Sequence, residues 1–136
     1  MKNLKYGVEI EFLGITREAA AEIVADFFGT GYFYEGGDIK ERDIADSDQR
    51  IWRVVRDVSI EAYSDEEQCE LVTPILTYSD LEILQQLASK LKAAGARVNR
   101  SCGLHIHVDA KGFTPQAIVN LVTLVGSKEQ LLYRAL

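Results

Sequence analysis

The sequence is poor in the residues that usually announce a chemistry. Two cysteines, Cys69 and Cys102, in 136 residues are too few for a disulfide scaffold. Both lie in apolar, strand-like stretches and read as reduced core thiols of a cytoplasmic protein. Basic residues are a minority, 15 against 21 acidic ones, and the net charge is −6. No basic stripe is visible, which argues against a nucleic-acid partner held by phosphate contacts. No apolar run reaches membrane-spanning length, so no membrane partner is expected, and "MKNLKYGVEIEF" lacks the apolar core of a signal peptide. A phosphate-cradling loop is missing too. "GTGYFYEGG" has glycines but no Lys-Ser/Thr and no helix after it, so a bound nucleotide would need metal ions and Arg or Lys instead. Histidine is as scarce as cysteine, and both copies, His105 and His107, fall in one string, "CGLHIHVD".

What is present is an ordinary globular composition, 47% hydrophobic and 26% charged, long enough for one domain with a real core. "LKYGVEIEFLG" alternates as a strand, with Tyr6, Val8, Ile10 and Phe12 opposite Gly7, Glu9 and Glu11. A helix follows over about 17–28, capped by Thr16 and stopped by Gly29. "GYFYEGG" is a short aromatic strand, and 36–50 reads as an acidic, mobile loop or weak hairpin. "IWRVVRDVSI" and "CELVTPIL" are strands, the second ended or edged by Pro74. "TYSDLEILQQLASKLKAAG" is the clearest helix, with Ser79 and Glu82 as a capping box and Gly95 closing it. "ARVNRSCGLHIHVDA" predicts a short strand, a turn and a second strand. The last helix starts at Thr114-Pro115, with a kink or break expected at Gly126–Ser127. Successive strands without intervening helices predict an α+β fold, helices on one face of a mostly antiparallel sheet.

Three polar constellations share one format. Glu9 and Glu11 sit on one strand face. Glu70 lies mid-strand, with Asp57 and Ser59 at the end of the strand before it. His105, His107 and Asp109 alternate on the last strand. Each set taken singly is most simply a solvated strand face or a structural histidine. If the three faces converge, carboxylates crowd together, and a divalent cation is the natural way to satisfy them. Carboxylates outnumber imidazoles, which favours Mg²⁺ or Mn²⁺ over Zn²⁺. A zinc hydrolase built on His-x-His-x-Asp would need further histidines that the chain does not have.

"GVEIEF", "WRVVRDVSI", "CELVTPIL" and "CGLHIHVDA", in this order, resemble the amidoligase family. Those carboxylate–amine ligases are related to glutamine synthetase and glutamate–cysteine ligase, and the whole chain is similar to the N-terminal half of the family. The resemblance implies a curved antiparallel sheet, a half-barrel, with helices on one face. It implies Mg²⁺ (or Mn²⁺) and ATP as cofactors, and an acyl phosphate formed from a substrate carboxylate and then attacked by an amine. An amino-acid or peptide carboxylate and an amine donor are the partners so implied. Glu9 and His105 would hold the metal nearer the nucleotide phosphates, and Glu11 and Glu70 the metal nearer the acceptor. His107 would touch substrate or the transferring phosphate. Asp57 and Ser59 would shape the substrate pocket, Asp109 would bond a strand end or touch substrate, and loop 36–50 would be the lid.

The family continues beyond the third helix, with a strand carrying a Glu-x-Arg element. The chain is therefore expected to be an incomplete catalytic domain, not active alone, completed by self-association or by a complementing C-terminal segment. Two further readings stand beside the ligase: a non-catalytic metal-binding or oligomerising remnant of the fold, and, more weakly, a metal-dependent hydrolase. The remnant reading predicts that Glu9, Glu11, Glu70 and His105 stay apart, or are paired off by Arg53 or Arg56.

Overall fold

The computed structural model describes residues 4–36 and 41–135. Its elements run β1 (Tyr6–Phe12), α1 (Arg17–Phe28), β2 (Tyr32–Gly36), β3 (Glu41–Ala45), β4 (Ile51–Arg56), β5 (Cys69–Val72), α2 (Leu81–Ala93), β6 (Leu104–Val108) and α3 (Pro115–Ala135). The strands form one open, curved sheet in the order β2-β3-β4-β5-β1-β6, and every neighbouring pair is antiparallel. The expected α+β class is what the chain adopts.

Alternation along the strands sorts the sheet into two faces. Val8, Phe12, Ile44, Trp52, Val54, Cys69 and Leu71 point to the covered face and are buried. There they meet Ala20, Ala21 and Val24 of α1 and Leu84, Leu87 and Leu91 of α2. Trp52 packs its ring 5.3 Å from that of Phe28. Small alanines on α1 let the helix lie close to the strands. Thr16 caps α1 by accepting from the Ala19 N–H, and Gly29 ends it at φ 69°, a conformation that favours glycine.

Several local expectations need correction. Residues 41–45 of the expected loop are a central strand. The following turn is pinned by buried Asp46, which accepts from Asp48 and Arg50 backbone N–H, Arg50 Nε and Trp52 Nε1. Of the two readings of loop 36–50, the hairpin is what forms: strand over residues 41–45, a turn over 46–50, then β4; residues 37–40 lie outside the described residues. The capping box belongs to Thr77 and Asp80, ahead of a single 3₁₀ turn that leads into α2, and not to Ser79 and Glu82. The short strand near Arg97 is only an isolated bridge to Leu13. α3 runs unbroken through Gly126–Ser127, because one helical glycine costs less than the turns around it supply. Cys69 is buried, whereas Cys102 is half-buried in a turn; both are free.

The covered face is not covered everywhere. Leu104 and Ile106 of edge strand β6 are each 61% exposed, and Val119, Val122 and Leu124 of α3 also stand in the open. No helix among the described residues is long and apolar enough to cross a membrane.

Candidate active site

The open face of the sheet carries the polar residues, and the register decides which of them meet. Phe33, Asp43, Arg53, Val72, Glu9 and His105 form one row across all six strands. The next row contains Val55, Glu70 and Glu11, and His107 lies opposite Gly7 on the other side. Glu9, Glu11, Glu70 and His105 therefore occupy adjacent positions on three neighbouring strands.

The contacts are close. Glu9 Oε2 lies 3.0 Å from His105 Nδ1 and 3.2 Å from His107 Nε2. His105 turns its other nitrogen, Nε2, toward Glu11 Oε1 at 3.7 Å. Glu11 is buried, and its Oε2 accepts from the Gly103 N–H at 2.7 Å. Two triads emerge, Glu9–Glu70–His105 and Glu11–Asp57–Glu70, each with one donor atom per residue and all atoms within 4.8 Å of one another. Glu70 belongs to both.

Crowding sets the electrostatics. Burial, together with the charges of Glu9, Asp57 and Glu11, pushes the Glu70 carboxyl up to about 7. Hydrogen bonds from His107 and His105 hold Glu9 below its ordinary value. The bond to Glu9 raises His105, and the negative charges of Glu11 and Glu70 add to it. A carboxylate driven that high by its neighbours is one that a divalent cation would relieve.

Neither candidate arginine cancels the cluster. Arg53 Nε pairs with Glu41 at 2.8 Å and Asp43 at 3.6 Å, away from Glu9. Arg56 turns to the covered side, to Gln68 Oε1 at 2.8 Å and Asp65 at 3.7 Å. The convergence and the arginine pairing both run against what the remnant reading predicts.

The sequence model of a family described as "Putative amidoligase enzyme" covers residues 2–136. The chain belongs to the amidoligase family. No curated protein and no solved structure matches it.

As an amidoligase family member, the chain shows which of the expected residues meet and which do not. Asp57 lies with Glu11 and Glu70 in the second triad. Ser59 joins neither triad; its N–H donates to Asp57 Oδ1 at 2.8 Å and closes the turn after β4. Asp109 serves the end of β6, where its N–H donates to the Lys5 carbonyl and its Oδ1 accepts from the Lys111 N–H. Beyond His107 and Gly7, a cleft of about 580 Å³ opens between Lys5, Lys111, Thr73 and Pro74. A side chain at Gly7 would meet nothing within 4 Å, so the cleft floor is open.

Three residues beside the site, Gly103, Lys5 and Lys111, had no signal in composition or periodicity. Gly103 contributes a backbone N–H, which no residue type advertises. A Cβ there would stand 3.1 Å from His105 Nε2 and 3.5 Å from both Glu11 oxygens. Its place at the head of the Gly-x-His-x-His string was the available clue. Lys5 and Lys111 are far apart in sequence, and only the pairing of β1 with β6 brings their ends together.

Proposed function

We propose that this chain carries the metal and phosphate site of an ATP-dependent carboxylate–amine ligase. One observation carries the reading: Glu9, Glu11, Glu70 and His105 converge on one open sheet face with Asp57 at its edge, and Arg53 and Arg56 pair with other groups. The donor set fits Mg²⁺ or Mn²⁺. The Glu11–Asp57–Glu70 set is all oxygen, and the other set adds a single imidazole. Glu9, Glu70 and His105 would hold one ion, and Glu11, Asp57 and Glu70 the other. Bound there, such ions supply charge neutralisation for the nucleotide phosphates and the reacting carboxylate.

The chain's own residues then have distinct tasks. Lys5 and Lys111, beside the cleft past His107, suit the polyphosphate of ATP. That sets the nucleotide at the His107 end and the acceptor carboxylate at the Asp57 end. His107, 65% exposed and 3.2 Å from Glu9, is held where it can donate to a transferring phosphoryl group. In the reaction class proposed, a carboxylate oxygen of an amino acid or peptide bonds the γ-phosphorus, and ADP leaves. The amine nitrogen then attacks the acyl carbon, and inorganic phosphate leaves with the electron pair of the C–O bond. A proton from the amine completes the balance.

The uncovered apolar surfaces of β6 and α3 suit a second copy of the chain or a complementing C-terminal segment. The test is ADP release from ATP and Mg²⁺ with a panel of amino acids, peptides and amines, run on a form whose native mass has been measured. ADP that depends on both acceptor and amine, and is lost in Glu9→Gln, is the expected result. A completed assembly that releases no ADP with any acceptor overturns the ligase reading.

A further inference from the structure

Asp57 is not held by the sheet. β4 ends at Arg56, and Asp57 opens an exposed turn in which Val58 is 74% exposed. Three carboxylates within 4.8 Å repel, so an untethered turn would swing Asp57 outward. Ile60 of the turn is buried, and the chain leaving it is tethered at Glu61. The Glu61 N–H donates to Ser101 Oγ at 2.8 Å, and the Glu61 carbonyl accepts from Asn99 Nδ2 at 2.8 Å. The two holding side chains are locked to each other: Ser101 donates to Asn99 Oδ1 through its N–H at 2.9 Å and its Oγ at 2.6 Å. Two residues further on, the Gly103 N–H grips Glu11 Oε2. Segment 99–103 therefore bonds Glu11 on one side of the gap and, on the other, Glu61, four residues past Asp57.

We propose that Asn99 and Ser101 are positioning residues, a clasp that fixes the Asp57 turn at the spacing from Glu11 that a second divalent cation needs. The proposal rests on the metal reading above. It assigns the clasp to one triad only, because Glu9 and His105 are set by the β1–β6 ladder and by their bond to each other, whereas Asn99 and Ser101 bond Glu61 and each other. The turn has an independent anchor, Gln68 Nε2 donating to the Ile60 carbonyl at 2.9 Å, so loosening the clasp does not release the loop entirely.

The test is a Mn²⁺ titration of the 136-residue chain without nucleotide, with free Mn²⁺ read by electron paramagnetic resonance and the fold checked by circular dichroism. The wild type is expected to take two ions. Asn99→Ala and Ser101→Ala should keep one ion at wild-type affinity and weaken the other about tenfold or more, the usual effect of removing an outer-shell partner. Ser101→Thr, which keeps the hydroxyl, should retain both. If Asn99→Ala fails to fold, the Ser101→Ala and Ser101→Thr pair carries the comparison. Equal weakening of both ions, or no change in either, overturns the clasp. So does a wild type that takes a single ion, which leaves metal binding standing. A wild type that takes none overturns the metal reading and the clasp together.

Discussion

Replacing Glu70 by Gln removes the charge that its neighbours least tolerate. Its carboxyl rises from the ordinary 4.5 to about 7, through burial and the charges of Glu9, Asp57 and Glu11. Between those two pH values the native state binds more protons than the unfolded chain, so wild-type stability falls as pH rises. The full rise corresponds to about 3 kcal/mol at 1.36 kcal/mol per pH unit. Glu70 is only partly buried, and solvent screening reduces this to roughly 1–2 kcal/mol. For a chain of this length that is about 3–8 °C in melting temperature. In metal-free buffer, Glu70→Gln should melt higher than wild type at pH 8. The gap should shrink through pH 6 and vanish below about pH 4.5. Added Mg²⁺ or Mn²⁺ should invert the order, because the ion stabilises only the site that binds it. Differential scanning calorimetry across pH, with and without metal, reads all of this. A melting difference that is the same at pH 4.5 and pH 8, or a metal-free variant that melts lower at pH 8, would refute the electrostatic account of the cluster.

Two further substitutions probe separate parts of the molecule. Gly103→Ala places a methyl 3.1 Å from His105 Nε2 and 3.5 Å from the Glu11 oxygens. Mn²⁺ affinity by calorimetric titration should fall about tenfold, with a melting temperature close to wild type; unchanged affinity would show that this space is not used. Asp46→Ala removes the acceptor for four donors around a side chain that is 1% exposed, and leaves Arg50 without one of its two carboxylates. Urea unfolding at pH 7 should show a loss of about 3–5 kcal/mol. Burial pushes Asp46 up, but hydrogen bonds from Trp52, Arg50 and Asp48 outweigh it and hold the carboxyl low. The gap between wild type and Asp46→Ala should therefore persist into acid and close only as the pH falls through that lowered value. A loss under 1 kcal/mol would count against the buried hub.

Much of the fold was legible locally. α1 could be bounded at both ends because Thr16 and Gly29 act through their own backbone neighbours. The strand faces of β1, β4 and β5 followed from alternation alone, since a period of two leaves no choice of side. β3 was not legible, because "ERDIA" is short and polar. Its strand character comes from Ile44 packing in the core and from neighbours on both sides. The α2 capping box lies two residues earlier than expected because Thr77 and Ser79 offer equivalent hydroxyls. Which of them caps depends on Asp80, whose carboxylate is also drawn to Arg50 at 3.0 Å.

The sequence by itself determined the residue types of the site and the face that each would share, because strand geometry fixes both without reference to the rest of the chain. The site's three glutamates and two aspartates against two histidines make oxygen-loving cations the ones to expect. Only the tertiary structure decided that these faces meet. Register places Glu9 beside His105 and Glu11 beside Glu70, and a slip of one residue would have turned either pair to the opposite face. Only the tertiary structure brought Asp57 to Glu11 and Glu70. Local bonds close the turn, from the Ser59 N–H to Asp57 Oδ1 and the Ile60 N–H to the Asp57 carbonyl, while Asn99 and Ser101, about forty places away, bond Glu61 just beyond it.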